Sequence, residues 1–227
     1  MGQPNYRHGF QVSLHEHMLE LPLGWRKPQR IFVNSMSDLF HDKIPEAYIQ
    51  RIFDAMRRSP QHTFQVLTKR AERLEDLGRH IDWPANVWMG VSVETPEYRY
   101  RLDHLRRTPA RVRFVSFEPL LDALGDVDLA GIHWAIVGGE SGPKARPMCK
   151  EWVTELRDQC LAARVSLFFK QWGGTNKKKA GRRLDGRTWN DMPHLDSPPA
   201  SRQVRHLPIA RLGQLEGEAG IRVCSVR

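Results

Sequence analysis

Residues 112–143 read VRFVSFEPLLDALGDVDLAGIHWAIVGGESGP, and two apolar runs within them, Val112–Phe117 and Ile132–Val137, decide the fold. Each gives way at once to polar residues: Ser116 closes the first beside Glu118, and Gly138, Gly139, Glu140 and Ser141 follow the second. A strand with one wet face alternates strictly. These runs are apolar on neighbouring positions as well, which is how strands of a helix-covered parallel sheet read.

Four further runs extend the pattern outward: Ile31–Met36, Thr63–Thr68, Val87–Val93 and Ser166–Phe169. Helix-like segments separate them. Pro45–Arg58 places Ile49, Ile52, Phe53 and Met56 on one stripe, and Arg70–Leu77 has Gly78 behind it as a stop. Thr95–Arg107 opens with Thr95 as N-cap and Pro96 in the first helical position. Met148–Ala163 spaces Trp152, Leu156 and Cys160 by four, and Leu120–Leu129 is a shorter helix candidate. Alternating strands and helices predict βα units with right-handed crossovers. The expected fold is α/β, a partial (open) parallel TIM-like barrel of about six βα units over residues 31–195; a closed barrel takes about 250 residues. Residues 1–30 are expected to be an irregular N-terminal segment, and residues 196–227, with Pro198-Pro199, a loosely ordered tail.

Composition narrows the functional classes. A hydrophobic fraction of 40% is that of an ordinary soluble protein, and no apolar run is long enough to span a membrane. With no export signal and three scattered cysteines, Cys149, Cys160 and Cys224, the expected compartment is the cytoplasm. No cysteine pair or histidine spacing predicts a metal site, and His15, His17, His41 and His62 fit no catalytic pattern. The net charge of +9 favours anionic partners. Much of it is local: Lys170, Lys177, Lys178, Lys179, Arg182, Arg183 and Arg187 stand against one acid, Asp185. Lys177, Lys178, Lys179, Arg182 and Arg183 are the candidate nucleic-acid contacts, with Trp172 and Trp189 near them as stacking surfaces.

All six runs end in residues able to bind or react. In a parallel sheet those ends share one rim, where ligands bind. Glu94 and Glu118 are the candidate acid, base or hydroxyl-binding carboxylates, and Pro119 biases Glu118 toward extended backbone at the strand end. Lys69, Arg70, Lys170 and Gln171 are candidates for a substrate anion. Asn34, Ser35, Asp38, Ser116, Gly138, Gly139, Glu140 and Ser141 are the candidate cofactor-binding set; the paired glycines could let backbone N–H groups approach a ligand. The alternative is that these charges pair with one another across the rim.

The ordered blocks IFVNSMSDLF, VLTKR, NVWMGVSVE, VRFVSFEPLL, WAIVGGESGP, WVTELRDQC, FFKQWGG and LDGRTWNDMP, over roughly residues 5–193, resemble the phage and prophage gp-thirty-seven/gp-sixty-eight family. That is a family of unknown function whose barrel is thought similar to radical S-adenosylmethionine enzymes. The resemblance implies S-adenosylmethionine lying across the strand ends and an iron–sulfur cluster held by a three-cysteine segment. No such segment occurs in this sequence, and Cys149, Cys160 and Cys224 lack its spacing. The expectation is therefore a truncated radical-SAM-like protein, inactive alone, directed at nucleic acid or a nucleotide-like substrate. Two other readings stay open: a non-catalytic nucleic-acid-binding protein using residues 170–187, and a cluster-free barrel enzyme using Glu94 and Glu118 on a phosphorylated small molecule.

Overall fold

The structure, a computed structural model, describes residues 12–33 and 37–193. Six strands, β1 (Arg30–Val33), β2 (Thr63–Thr68), β3 (Val87–Ser92), β4 (Val112–Phe117), β5 (Trp134–Gly138) and β6 (Ser166–Gln171), stand in sheet order β1-β2-β3-β4-β5-β6. The helices between them are α1 (Glu46–Arg57), α2 (Ala71–Gly78), α3 (Arg101–Arg106) and α4 (Lys150–Ala162), with a short α5 (Lys177–Ala180) after β6. The fold class is α/β, six parallel strands with interspersed helices, the alternation of an open partial barrel. No helix among the described residues is long and apolar enough to cross a membrane.

Two compact units divide the chain after Met89, within β3. In the first, β1 pairs with β2 from Arg30↔Thr63 to Val33↔Val66. The stripe read from the sequence is the buried face of α1, where Ile49, Ile52, Phe53 and Met56 join Tyr48 and Ala55. Asn86 donates through its amide to the carbonyls of Met56, Ser59 and His62, each at 3.0 Å, and so ties the end of α1 to the start of β2. Residues 12–29 contain two 3-10 turns, Glu16–Met18 and Leu21–Gly24, which bury Met18 and Pro22. Buried His62 fastens this segment: one ring nitrogen accepts from the Gln29 N–H at 3.1 Å and the other lies 2.9 Å from the Pro22 carbonyl.

In the second unit β5 lies between β4 and β6, with Phe114↔Trp134 and Trp134↔Ser166 in register. Side chains alternate between faces, so one face carries the ring series Phe114, Trp134 and Phe168, with centroid spacings of 5.6 and 6.0 Å. Helix α4 buries Val153, Leu156 and Cys160. Residues 189–191 cover the outer edge of β6 in antiparallel fashion: the Phe169 N–H donates to Trp189 at 3.1 Å, and the Asp191 N–H donates to Leu167 at 3.0 Å. A strand edge left open invites intermolecular pairing, and this one is closed by the chain itself.

Two expected helices differ. Thr95–Arg107 is a 3-10 turn at Pro96–Tyr98 followed by α3, and no side-chain hydrogen bond caps it at Thr95. Leu120–Leu129 is not a helix. Gly125 has φ +61, outside the helical region, and carbonyls of the segment and its end are held by three arginines. Arg99 donates to Leu124 and Asp126, Arg106 to Asp128 and Ala130, and Arg113 to Gly131.

Candidate functional site

In the first unit, the strand ends are organised by Asp38. One of its carboxylate oxygens accepts from the Thr68 hydroxyl at 2.7 Å and the Phe40 N–H at 2.9 Å. The other accepts from the Lys69 N–H at 3.1 Å and the Arg70 guanidinium at 3.0 Å. Four donors fill the capacity of a carboxylate. Arg73 adds a second brace by donating to the carbonyls of Phe40, His41 and Ile44. Asn34 and Ser35 lie outside the described residues.

In the second unit, Glu94 is buried against Arg101 at 3.0 Å, and Arg101 also donates to the Ser92 carbonyl and stacks over Tyr98 at 4.0 Å. Glu140 is held from both sides of its carboxylate by the Arg146 guanidinium at 2.9 Å, and it accepts the Arg146 N–H at 2.8 Å. Those bonds draw its carboxyl down to about 2. Ser116 is buried in register with Ile136. Ser141 accepts from the Gln171 amide at 2.5 Å.

The paired glycines have separate jobs. Gly139 serves backbone packing: its N–H donates to Gln171 at 3.0 Å, and a Cβ there would meet the Trp172 carbonyl oxygen at 2.1 Å. Gly138 serves the site. The ends of β4 and β6 are separated by β5, hence by roughly 10 Å of sheet. Glu118 at the end of β4 and Lys170 on β6 nevertheless meet at 2.7 Å, above Gly138. A Cβ on Gly138 would lie 3.3 Å from the Glu118 carboxyl carbon and 3.4 Å from Lys170 Cβ, so the missing side chain makes room for the pair. The two side chains are 21% and 28% exposed, and each has only the other as a charged partner among the described residues. Glu118 is joined to Pro119 by a cis peptide bond, and the Leu120 N–H donates to the Gly138 carbonyl at 2.9 Å, fixing the turn.

The structure thus brings Glu118, Lys170 and Gly138 together, with Gln171 at the end of β6 and Glu140 and Ser141 on the loop after β5. Sequence reading missed Arg101 and Arg146, the partners that occupy Glu94 and Glu140. No spacing rule links a strand-end carboxylate to an arginine six or seven residues downstream across a loop.

The basic segment after β6 is also more structured than its composition suggests. Trp189 is buried, with Arg187 stacked 3.4 Å from its ring centre, and the Trp172 indole N–H donates to Arg183. Asp185 pairs with Lys150 at 2.7 Å and with Arg157, both on α4. Lys179 and Arg183 are exposed, and Arg182 lies over Phe168.

Among the described residues no group of three His, Cys, Asp or Glu could hold a metal ion. Cys149 is exposed, and burial pushes the Cys160 thiol up to about 12, the state of an inert packing residue. No curated protein and no solved structure matches the chain. The family described as Protein of unknown function (DUF5131) matches residues 1–193, and the chain belongs to it.

Proposed function

We propose that the ends of β4, β5 and β6 bind the amino-acid end of S-adenosylmethionine, in a truncated radical-SAM-like protein of phage or prophage type, inactive alone, that is directed at nucleic acid or a nucleotide-like substrate. One observation carries this reading: the Glu118–Lys170 pair, bridged over Gly138 and partly open to solvent. An α-amino acid presents an ammonium and a carboxylate on one carbon. A carboxylate and an ammonium held side by side match that zwitterion, and each can exchange its present partner for one on the ligand. Gly138 leaves the backbone flat at that point, so a ligand can approach it closely.

The cofactor would supply the group-transfer chemistry, and this chain's residues would bind and orient it. Glu118 would accept from the ligand ammonium, and Lys170 would donate to its carboxylate. Cys149 and Cys160 do not fit an iron–sulfur cluster, so no step is assigned to one. Acid–base catalysis by Glu94 and Glu118 together is less well supported, because Glu94 is buried against Arg101.

Calorimetric titration with S-adenosylmethionine tests the reading. Saturable binding is expected, weakened at least tenfold in Glu118→Gln and in Lys170→Met, with Arg146→Ala close to the parent protein. Absent binding, or binding indifferent to Glu118→Gln and Lys170→Met, would refute it.

A further inference from the structure

Most arginines of the second unit whose guanidinium is drawn into the fold have a partner that compensates the loss of water. Arg101 has Glu94, Arg106 has Asp103 and Asp128, and Arg157 has Asp158 and Asp185, while Arg113 reaches the carbonyls of Thr108 and Gly131. Arg182 has no carboxylate among the described residues. Its guanidinium lies over the ring of Phe168 on β6, 5.0 Å from the ring centre, and one terminal nitrogen donates to the Asn190 side-chain oxygen. Its Nε is buried, with no hydrogen-bond partner and no carboxylate paired to it among the described residues. Burial lowers its pKa, which is the signature of a cation short of stabilising charge. The surroundings do not supply that charge, because Asp185, the one acid between Lys170 and Arg187, is already engaged by Lys150 and Arg157.

We infer that Arg182 is the anchor of a phosphate-binding position on the Phe168 face of β6. The ring fixes the guanidinium plane, Asn190 fixes its rotation, and the Nη1 end is left with no partner among the described residues. Nη1 presents its N–H groups to a phosphate oxygen, and the second N–H of Nη2, the one not given to Asn190, can reach a second oxygen of the same phosphate. Phosphate is favoured over a carboxylate by the local field: exposed Lys179 and Arg183 stand in the same segment with no acid left to neutralise them, which suits a multiply charged anion. A guanidinium left uncompensated in a partly desolvated place is a standing cost to the fold, as functional sites commonly are. The ligand class assigned is therefore a phosphorylated molecule, with Arg182 as its specific contact and exposed Lys179 and Arg183 as diffuse attraction. The inference stands apart from the Glu118–Lys170 reading, because neither of those side chains takes part in it.

Inorganic pyrophosphate is the probe, titrated calorimetrically at low and at moderate salt. The expected result is saturable binding that weakens at least tenfold in Arg182→Gln and less than threefold in Lys179→Ala. The melting temperature of Arg182→Gln should be unchanged or higher, since an uncompensated charge has been removed; a merely structural arginine would lower it. Should Arg182→Gln fail to fold, Arg182→Lys replaces it: the charge stays, the flat fork is lost, and affinity should fall severalfold. No saturable binding, equal losses in Arg182→Gln and Lys179→Ala, or parental affinity in Arg182→Lys would overturn the inference.

Discussion

Asp38 in the first unit and Glu118 in the second are both carboxylates at strand ends, and both carry a basic partner. They differ in what is left over. Asp38 is surrounded by four donors from its own unit and is 16% exposed on its side chain. Glu118 has Lys170 alone and keeps one oxygen without a partner among the described residues. A saturated carboxylate holds loops in place. A half-used one, set over a glycine, has capacity for a ligand. The same contrast sorts two other strand-end acids: Glu140 resembles Asp38 in being engaged at both oxygens, by Arg146, and Glu94 is buried with one oxygen on Arg101.

The contrast can be broken most forcefully at the buried pair. Arg101→Ala leaves Glu94 buried without its guanidinium, and the expected loss of stability is about 3–5 kcal/mol by denaturant unfolding. Asp38→Ala comes next: Thr68, Lys69, Phe40 and Arg70 lose their shared acceptor, for a loss of about 2–3 kcal/mol. Gly138→Ala sharpens the other side. Its methyl would press on Glu118 and Lys170 at 3.3–3.4 Å, so ligand affinity should fall while stability changes by about 1 kcal/mol or less. Glu118→Gln should alter stability least, by about 0.5–1 kcal/mol, the scale of a single ion pair that solvent still reaches.

The engaged acids also predict a pH response. Arg146 holds the Glu140 carboxyl at about 2, below its ordinary value of 4.5, so the unfolded chain binds the proton more readily. The stabilisation from this pair is complete above pH 4.5 and disappears as the pH falls toward 2. In Arg146→Ala that part of the acid dependence should vanish from a series of unfolding curves. His133 acts in the same direction at higher pH. Burial and the nearby Arg113 hold its pKa below 6.5, so stability should begin to decline as the pH drops through that value.

Much of the fold was legible because doubly buried parallel strands are apolar on both faces. Four of the six runs lie within a residue or two of their strands; β6 continues through Lys170 and Gln171, past the last apolar residue of its run, and of the first run Ile31, Phe32 and Val33 are described, all in β1. The expected helix after Pro119 failed because its stability question is settled elsewhere, by Arg99, Arg106 and Arg113 reaching the loop carbonyls. The site was half legible. Glu118, Lys170 and Gly138 each stood out at a strand end, but their meeting depends on β5 lying between β4 and β6, which no local pattern encodes. The basic segment misled in a different way. Its charge was visible, whereas the burial of Trp189 and the lone position of Arg182 arise from packing against β6 and α4.

The most direct measurement is the melting temperature of Asp38→Asn and Glu118→Gln with and without S-adenosylmethionine at about ten times its dissociation constant. Such a ligand adds about 1.4 kcal/mol, or about 3 °C for a protein of this size. Asp38→Asn should melt lower yet keep the ligand-induced rise, and Glu118→Gln should melt like the parent and lose it. A Glu118→Gln protein that melts several degrees lower and still gains the full rise would contradict the account.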